Sequence, residues 1–186
     1  MYTPVESRFG IQPIAFTNAA NTIYQSGQSP FANQEHVLGD IIRATDPVYG
    51  GGEFIYLLGV ASTVVGSLVV WAGSTGTIPA GVPTFQTALC PATANLGQPV
   101  AVAMSANVAG QWGWYQITGN AVVAENGTFT AGAAVFLTSA TAGVVSTSVA
   151  AGKQIMNARS VIADGQPSAG FGVMYIDRPF VEGQIT

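Results

Sequence analysis

One histidine, His36, and one cysteine, Cys90, are the chain's whole supply of imidazole and thiol. A nucleophile–histidine–acid arrangement would have to use His36, which stands beside Glu35. No serine lies in the Gly-x-Ser-x-Gly setting that presents a nucleophile on a sharp turn, so an exposed histidine is expected rather than a general base. Cys90 lies in Ala-Leu-Cys-Pro, an apolar setting that raises a thiol pKa rather than activating it. It reads as core or interface packing. Soft metals need several His or Cys ligands, and two such residues cannot supply them. Asp40, Asp46 and Glu53 carry oxygens that a calcium ion could take, but their spacing matches no calcium loop. Gly50-Gly51-Gly52 lacks the Lys-Ser/Thr that completes a phosphate loop and reads as a turn. No catalytic, cofactor or metal site is expected, and the chain does not read as an enzyme.

Two further motifs carry chemistry of a weaker kind. Asn126-Gly127-Thr128 has the form of a glycosylation acceptor, but the start MYTPVESRFG shows no basic region followed by an apolar run, so no secretory signal is expected. Asn-Gly is in any case a turn signal. Trp112, Trp114 and Tyr115 cluster in Gln-Trp-Gly-Trp-Tyr-Gln. Strand alternation puts Trp112 and Trp114 on one face and Tyr115 on the other. Three uses stay open for this cluster: core packing, an interface anchor for self-association, or a platform on which a sugar stacks.

The elements that would position these residues are set by an unusual composition. Of 186 residues, 48% are hydrophobic and only 8% charged, against about 25% charged in typical soluble domains. From Phe54 to Ala124 there is no Asp, Glu, Lys, Arg or His, and after Glu125 the run from Asn126 to Gly152 is uncharged again. A polar surface with so little charge repels its neighbours weakly and tends to associate, so the chain reads first as part of an assembly. The net charge of −4 and the scatter of Arg8, Arg43, Lys153, Arg159 and Arg178 argue against a nucleic-acid partner. A single cysteine allows no internal disulfide. Phe54–Gly73 has the length of a membrane span, yet Gly59, Ser62, Thr63, Gly66 and Ser67 break it and no Lys or Arg flanks it closely. Two strands joined by a turn near Ser62–Thr63 are expected there, and no membrane partner.

Three regions follow. Residues 1–50 read as an extended N-terminal arm, interrupted by Pro4, Pro13 and Pro30 and carrying the apolar anchors Phe9, Ile11, Ile14, Phe16, Ile23, Tyr24 and Phe31. From Val37 the texture is already β, and residues 51–177 show short strands at regular spacing with glycine-rich turns, the pattern of a small all-β sandwich or barrel. Residues 178–186 read as a short C-terminal arm. The runs VAVAM at 100–104 and GVMYI at 172–176 are apolar on both faces, so a second sheet or another subunit must cover each twice.

The segments LGDIIRATDPVYGGGEFIYLLGVAST, PATANLGQPVAVAMSANVAGQWGWYQITGNAVVA and IDRPFVEGQIT, with the alternation AGAAVFLTSATAGVVST, resemble the capsid decoration (cement) proteins of tailed bacteriophages. The resemblance covers most of the chain from Val37 onward and rests on texture and phrases. It implies a β-rich protein bound outside an icosahedral shell, as a homotrimer near local threefold positions, with apolar arms laid over the major capsid protein. On that footing Phe9, Ile11, Ile14, Phe16, Ile23, Tyr24 and Phe31 become capsid-binding residues. The protein would be made in the bacterial cytoplasm and end on the virion surface. The alternatives are a head fibre or tail adhesin that binds a host glycan through Trp112 and Trp114, or a tail-tube or head-completion subunit.

Overall fold

The computed structural model describes residues 3–4, 36–71, 85–106 and 111–183. The anchors Phe9, Ile11, Ile14, Phe16, Ile23, Tyr24 and Phe31 all lie outside the described residues. Within that set the chain forms twelve strands and no helix. They are β1 (Thr3–Pro4), β2 (Ile41–Asp46), β3 (Gly50–Leu58), β4 (Leu68–Val70), β5 (Ala88–Leu89), β6 (Val100–Ala103), β7 (Trp112–Gln116), β8 (Thr118–Ala124), β9 (Ala134–Leu137), β10 (Val145–Ser146), β11 (Gln154–Ile162) and β12 (Phe171–Val181). One sheet has seven strands in the order β1-β2-β3-β7-β6-β4-β5, the other five in the order β10-β9-β11-β12-β8. All named pairings are antiparallel, and the two sheets pack as an all-β sandwich.

Alternation along the strands decides which side chains meet. Leu68 and Val70 of β4 and Val100 and Val102 of β6 join Ala121 and Val123 of β8 and Met174 and Ile176 of β12 in one cluster between the sheets. Each large apolar side chain buried there contributes about 1.5–3 kcal/mol. The intervening residues Val69, Ala101 and Ala103 point to the other side of the seven-stranded sheet. There they join Ile55, Leu57 and Tyr115. Trp71 and Phe85, stacked at 6.3 Å, pack against that second cluster. Val100–Ala103 is therefore buried on both faces, as its doubly apolar sequence requires.

Several boundaries differ from the sequence expectation. Phe54–Gly73 does hold two strands, β3 and β4, but β7 and β6 stand between them in the sheet. The connection is a crossing loop and not a hairpin turn, because its backbone bonds elsewhere: Gly59 N–H to Gln111 O at 2.7 Å and Gly66 N–H to Ala103 O at 2.8 Å. Gly50–Gly52 is strand rather than loop. The turn is Pro47–Tyr49, where Asp46 Oδ1 accepts the N–H of Val48 at 2.7 Å and of Tyr49 at 3.0 Å. The expected boundary at residue 50 thus falls inside a sheet. At the other end, β12 runs through Val181, and Phe180 and Gly183 bridge to Pro99 and Leu96. The chain from Arg178 to Gly183 is sheet and bridge, not a separate arm. Thr3 and Pro4 pair with Thr45 and Ala44, so the N-terminal residues are tied to β2.

Candidate functional site

The two sheets are joined covalently at one corner. The chain leaves β7 at Gln116, passes Ile117 and enters β8 in the other sheet at Thr118. Ile117 divides its backbone between the sheets: its N–H donates to Glu53 O of β3 at 2.9 Å, and its carbonyl accepts Arg178 N–H of β12 at 2.8 Å. Glu53 N–H donates to Thr118 Oγ1 at 2.8 Å. Gln116, fully buried, donates from Nε2 to the carbonyls of Thr118 and Asn120 at 2.9 and 3.1 Å. Strands that switch sheets need a local bend, and here Gly119 supplies it at φ +90°. A Cβ at that position would stand 2.2 Å from Gly51 O, so only glycine lets β8 approach β3 this closely.

Charge gathers at this corner. Glu53 Oε1 accepts Arg43 Nε–H at 3.0 Å, and Glu53 Oε2 accepts Arg178 Nη2–H at 2.7 Å. The first pair lies within the seven-stranded sheet, and the second spans the two sheets. The Glu53 side chain is 16% exposed, while Arg43 and Arg178 are 71% and 59% exposed. Arg178 sits at φ +48°, in the left-handed region, which a non-glycine residue adopts at a cost of order 1–3 kcal/mol. Opposite Ala158 and Met156, β12 departs from regular register between Ile176 and Phe180, and Arg178 occupies that irregularity. Tyr175 and Asp177, both exposed, complete an open cleft of about 510 Å³ with Thr118, Gly51 and Gly119. The cleft holds two cations, two carboxylates, two hydroxyls and one aromatic ring. Such a set donates and accepts hydrogen bonds. It offers no imidazole or thiol.

The residues singled out from sequence fall elsewhere. Trp112 and Trp114 do share a face and Tyr115 does point to the other. However, Trp114 is 5% and Tyr115 0% exposed, so of the three readings, packing holds for both and neither offers a ligand or self-association face. Trp112 is half-buried. His36 is not a loose surface residue: its ring lies 5.1 Å from Tyr56 and 5.2 Å from Trp114, and those two rings lie 5.1 Å apart. Cys90 is buried in the inter-sheet cluster, and burial pushes its thiol up to about 12. Among the described residues no three His, Cys, Asp or Glu side chains converge as metal ligands, and no helix is long and apolar enough to cross a membrane. Asn126 and Gly127 are exposed, and Gly127 N–H donates to the Glu125 carboxylate.

Sequence reasoning missed the cleft because its members stand at 43, 51, 53, 118, 119, 175, 177 and 178, and no short motif links them. One signal was present: Arg43, Glu53, Asp177 and Arg178 belong to the few charged residues of the chain, and all four lie outside the charge-free stretch from Phe54 to Ala124. Comparison of the chain with protein-family models, with curated proteins and with solved structures found no match.

Proposed function

We propose that this chain is a virion structural protein that binds the outside of an icosahedral phage capsid and stabilises it by bridging neighbouring shell subunits. The observation that carries the reading is the charge-free run from Phe54 to Ala124, within which Leu68–Val70 and Val100–Ala103 are strands buried on both faces and which lacks any acid–base set. A chain of this kind acts by burying area, and its surface charge does little to keep copies apart. The homotrimeric state, the major capsid protein as partner and synthesis in the bacterial cytoplasm belong to the same proposal.

The mechanism assigned to the N-terminal region is docking of Phe9, Ile11, Ile14, Phe16, Ile23, Tyr24 and Phe31 into grooves between shell subunits. Each side chain fully buried contributes about 1.5–3 kcal/mol, and ordering the backbone costs about 1–2 kcal/mol per residue. Strand addition to the shell must therefore contribute as well. The test replaces Phe9, Ile11, Ile14 and Phe16 together by Ser and leaves Thr3–Pro4 in place. The expected outcome is an unchanged melting temperature with loss of binding to undecorated shells. Undiminished shell binding by this variant would overturn the docking role.

A further inference from the structure

We propose that the cleft between β3, β8 and β12 is a binding site for a neutral polyhydroxyl ligand, the sugar units of a glycan. The charges select this class. Arg43 and Arg178 balance Glu53 and Asp177 within one cleft, so an anionic or a cationic ligand meets like charge as well as opposite charge. A hydroxyl both donates and accepts, and adjacent hydroxyls match the forked geometry of guanidinium and carboxylate groups. The bonds to Glu53 use one nitrogen of each guanidinium, and a guanidinium carries five N–H donors in all. Asp177 supplies acceptor oxygens. Tyr175, 50% exposed, offers a ring face to the C–H side of a sugar and a hydroxyl at its tip.

The backbone supports the same conclusion. Arg178 is held at φ +48°, at a cost of order 1–3 kcal/mol, whereas an exposed ion pair returns about 0–1 kcal/mol. The pair with Glu53 does not by itself offset that conformation. Arg178 N–H also donates to Ile117 O at 2.8 Å, so the backbone bond and the Glu53 pair together hold the guanidinium at the cleft wall, and a left-handed residue kept in place this way is consistent with a positioned group. Gly51 and Gly119 leave the floor without side chains. This inference is independent of shell binding. It also moves the sugar platform from Trp112 and Trp114, the second of which is buried, to Tyr175.

The experiment titrates the full-length, ¹⁵N-labelled protein with three neutral disaccharides (maltose, lactose and N-acetylchitobiose), and separately with succinate. The amide signals of Gly51, Gly119 and Asp177 are followed. The expected result is a saturable shift of these signals with at least one disaccharide. Tyr175→Ala and Asp177→Asn, tested separately and each checked for an unchanged fold by its amide spectrum, should each weaken it about tenfold or more (about 1.4 kcal/mol). Three results would overturn the proposal: no shift with any disaccharide, equal shifts with succinate, or binding that survives both substitutions. Shell binding is measured on the same samples, so failure of the sugar site and failure of the capsid reading remain separate outcomes.

Discussion

Between β4, β6 and β12 the sheets meet through Leu68, Val102 and Met174, all fully buried and without a polar atom beyond the thioether. At the corner around Ile117 the same sheets are joined by shared backbone bonds, one amide side chain and the Arg43–Glu53–Arg178 cluster. The first contact depends on volume and tolerates exchanges that conserve it. The second depends on direction and on close backbone approach, and it fails when one atom is added or one acceptor is left alone. Stability and shape are therefore supplied by different parts of the same junction: the core holds the sheets together, and the corner fixes how the chain passes between them.

The largest expected effect that separates the two is Gly119→Ala. The new Cβ would meet Gly51 O at 2.2 Å in a left-handed conformation, and a loss of about 3 kcal/mol or more is expected in denaturant unfolding. Gly127→Ala, at φ +81° with nothing within 4 Å, isolates the conformational part and should cost only about 1 kcal/mol. Equal costs for the two would show that close approach at the corner does not matter. Next comes Gln116→Leu, which keeps the volume and removes both bonds to the carbonyls of Thr118 and Asn120. A cost of about 1–3 kcal/mol is expected, and a neutral result would make the corner as tolerant as the core.

The core has its own signature at high pH. The Cys90 thiol is pushed up from 9.0 to about 12 by burial. Between those values the unfolded chain carries a thiolate and the folded one does not, so unfolding releases a proton and stability falls as pH rises. The slope is roughly 1.4 kcal/mol per pH unit. Cys90→Ala should remove that slope, and an unchanged slope would place its origin elsewhere. The smallest effect belongs to the charges. Arg178→Gly loses one exposed pair and releases a left-handed residue, so a net change within about 1 kcal/mol is expected. A larger loss would make the pair a structural clamp and weaken the case for a positioned guanidinium.

The core was legible in the sequence because alternation is local. VAVAM and GVMYI alternate side chains to opposite faces regardless of what lies elsewhere in the chain, and Val100–Ala103 is buried on both. The strands near 154–162 and 134–138 were legible for the same reason. Sheet order was not. β3 and β4 follow one another in sequence and suggest a hairpin, but their partners are chosen by residues some thirty to sixty positions later. The corner was the least legible part. Nothing local says that Gln116 will turn its amide onto β8, or that Arg178 will reach Glu53 across 125 residues. The same limit applied to Trp114 and Tyr115, whose aromatic character fits a surface platform and a core equally well until burial decides.

The capsid reading stands or falls on where the protein is found. Particles would be purified from a lysate on a density gradient and this chain quantified against the most abundant shell protein. The account predicts many copies per particle in a fixed whole-number ratio to that protein. A handful of copies would assign the chain to a fibre, tail or head-completion role, and its absence from particles would contradict the virion assignment outright.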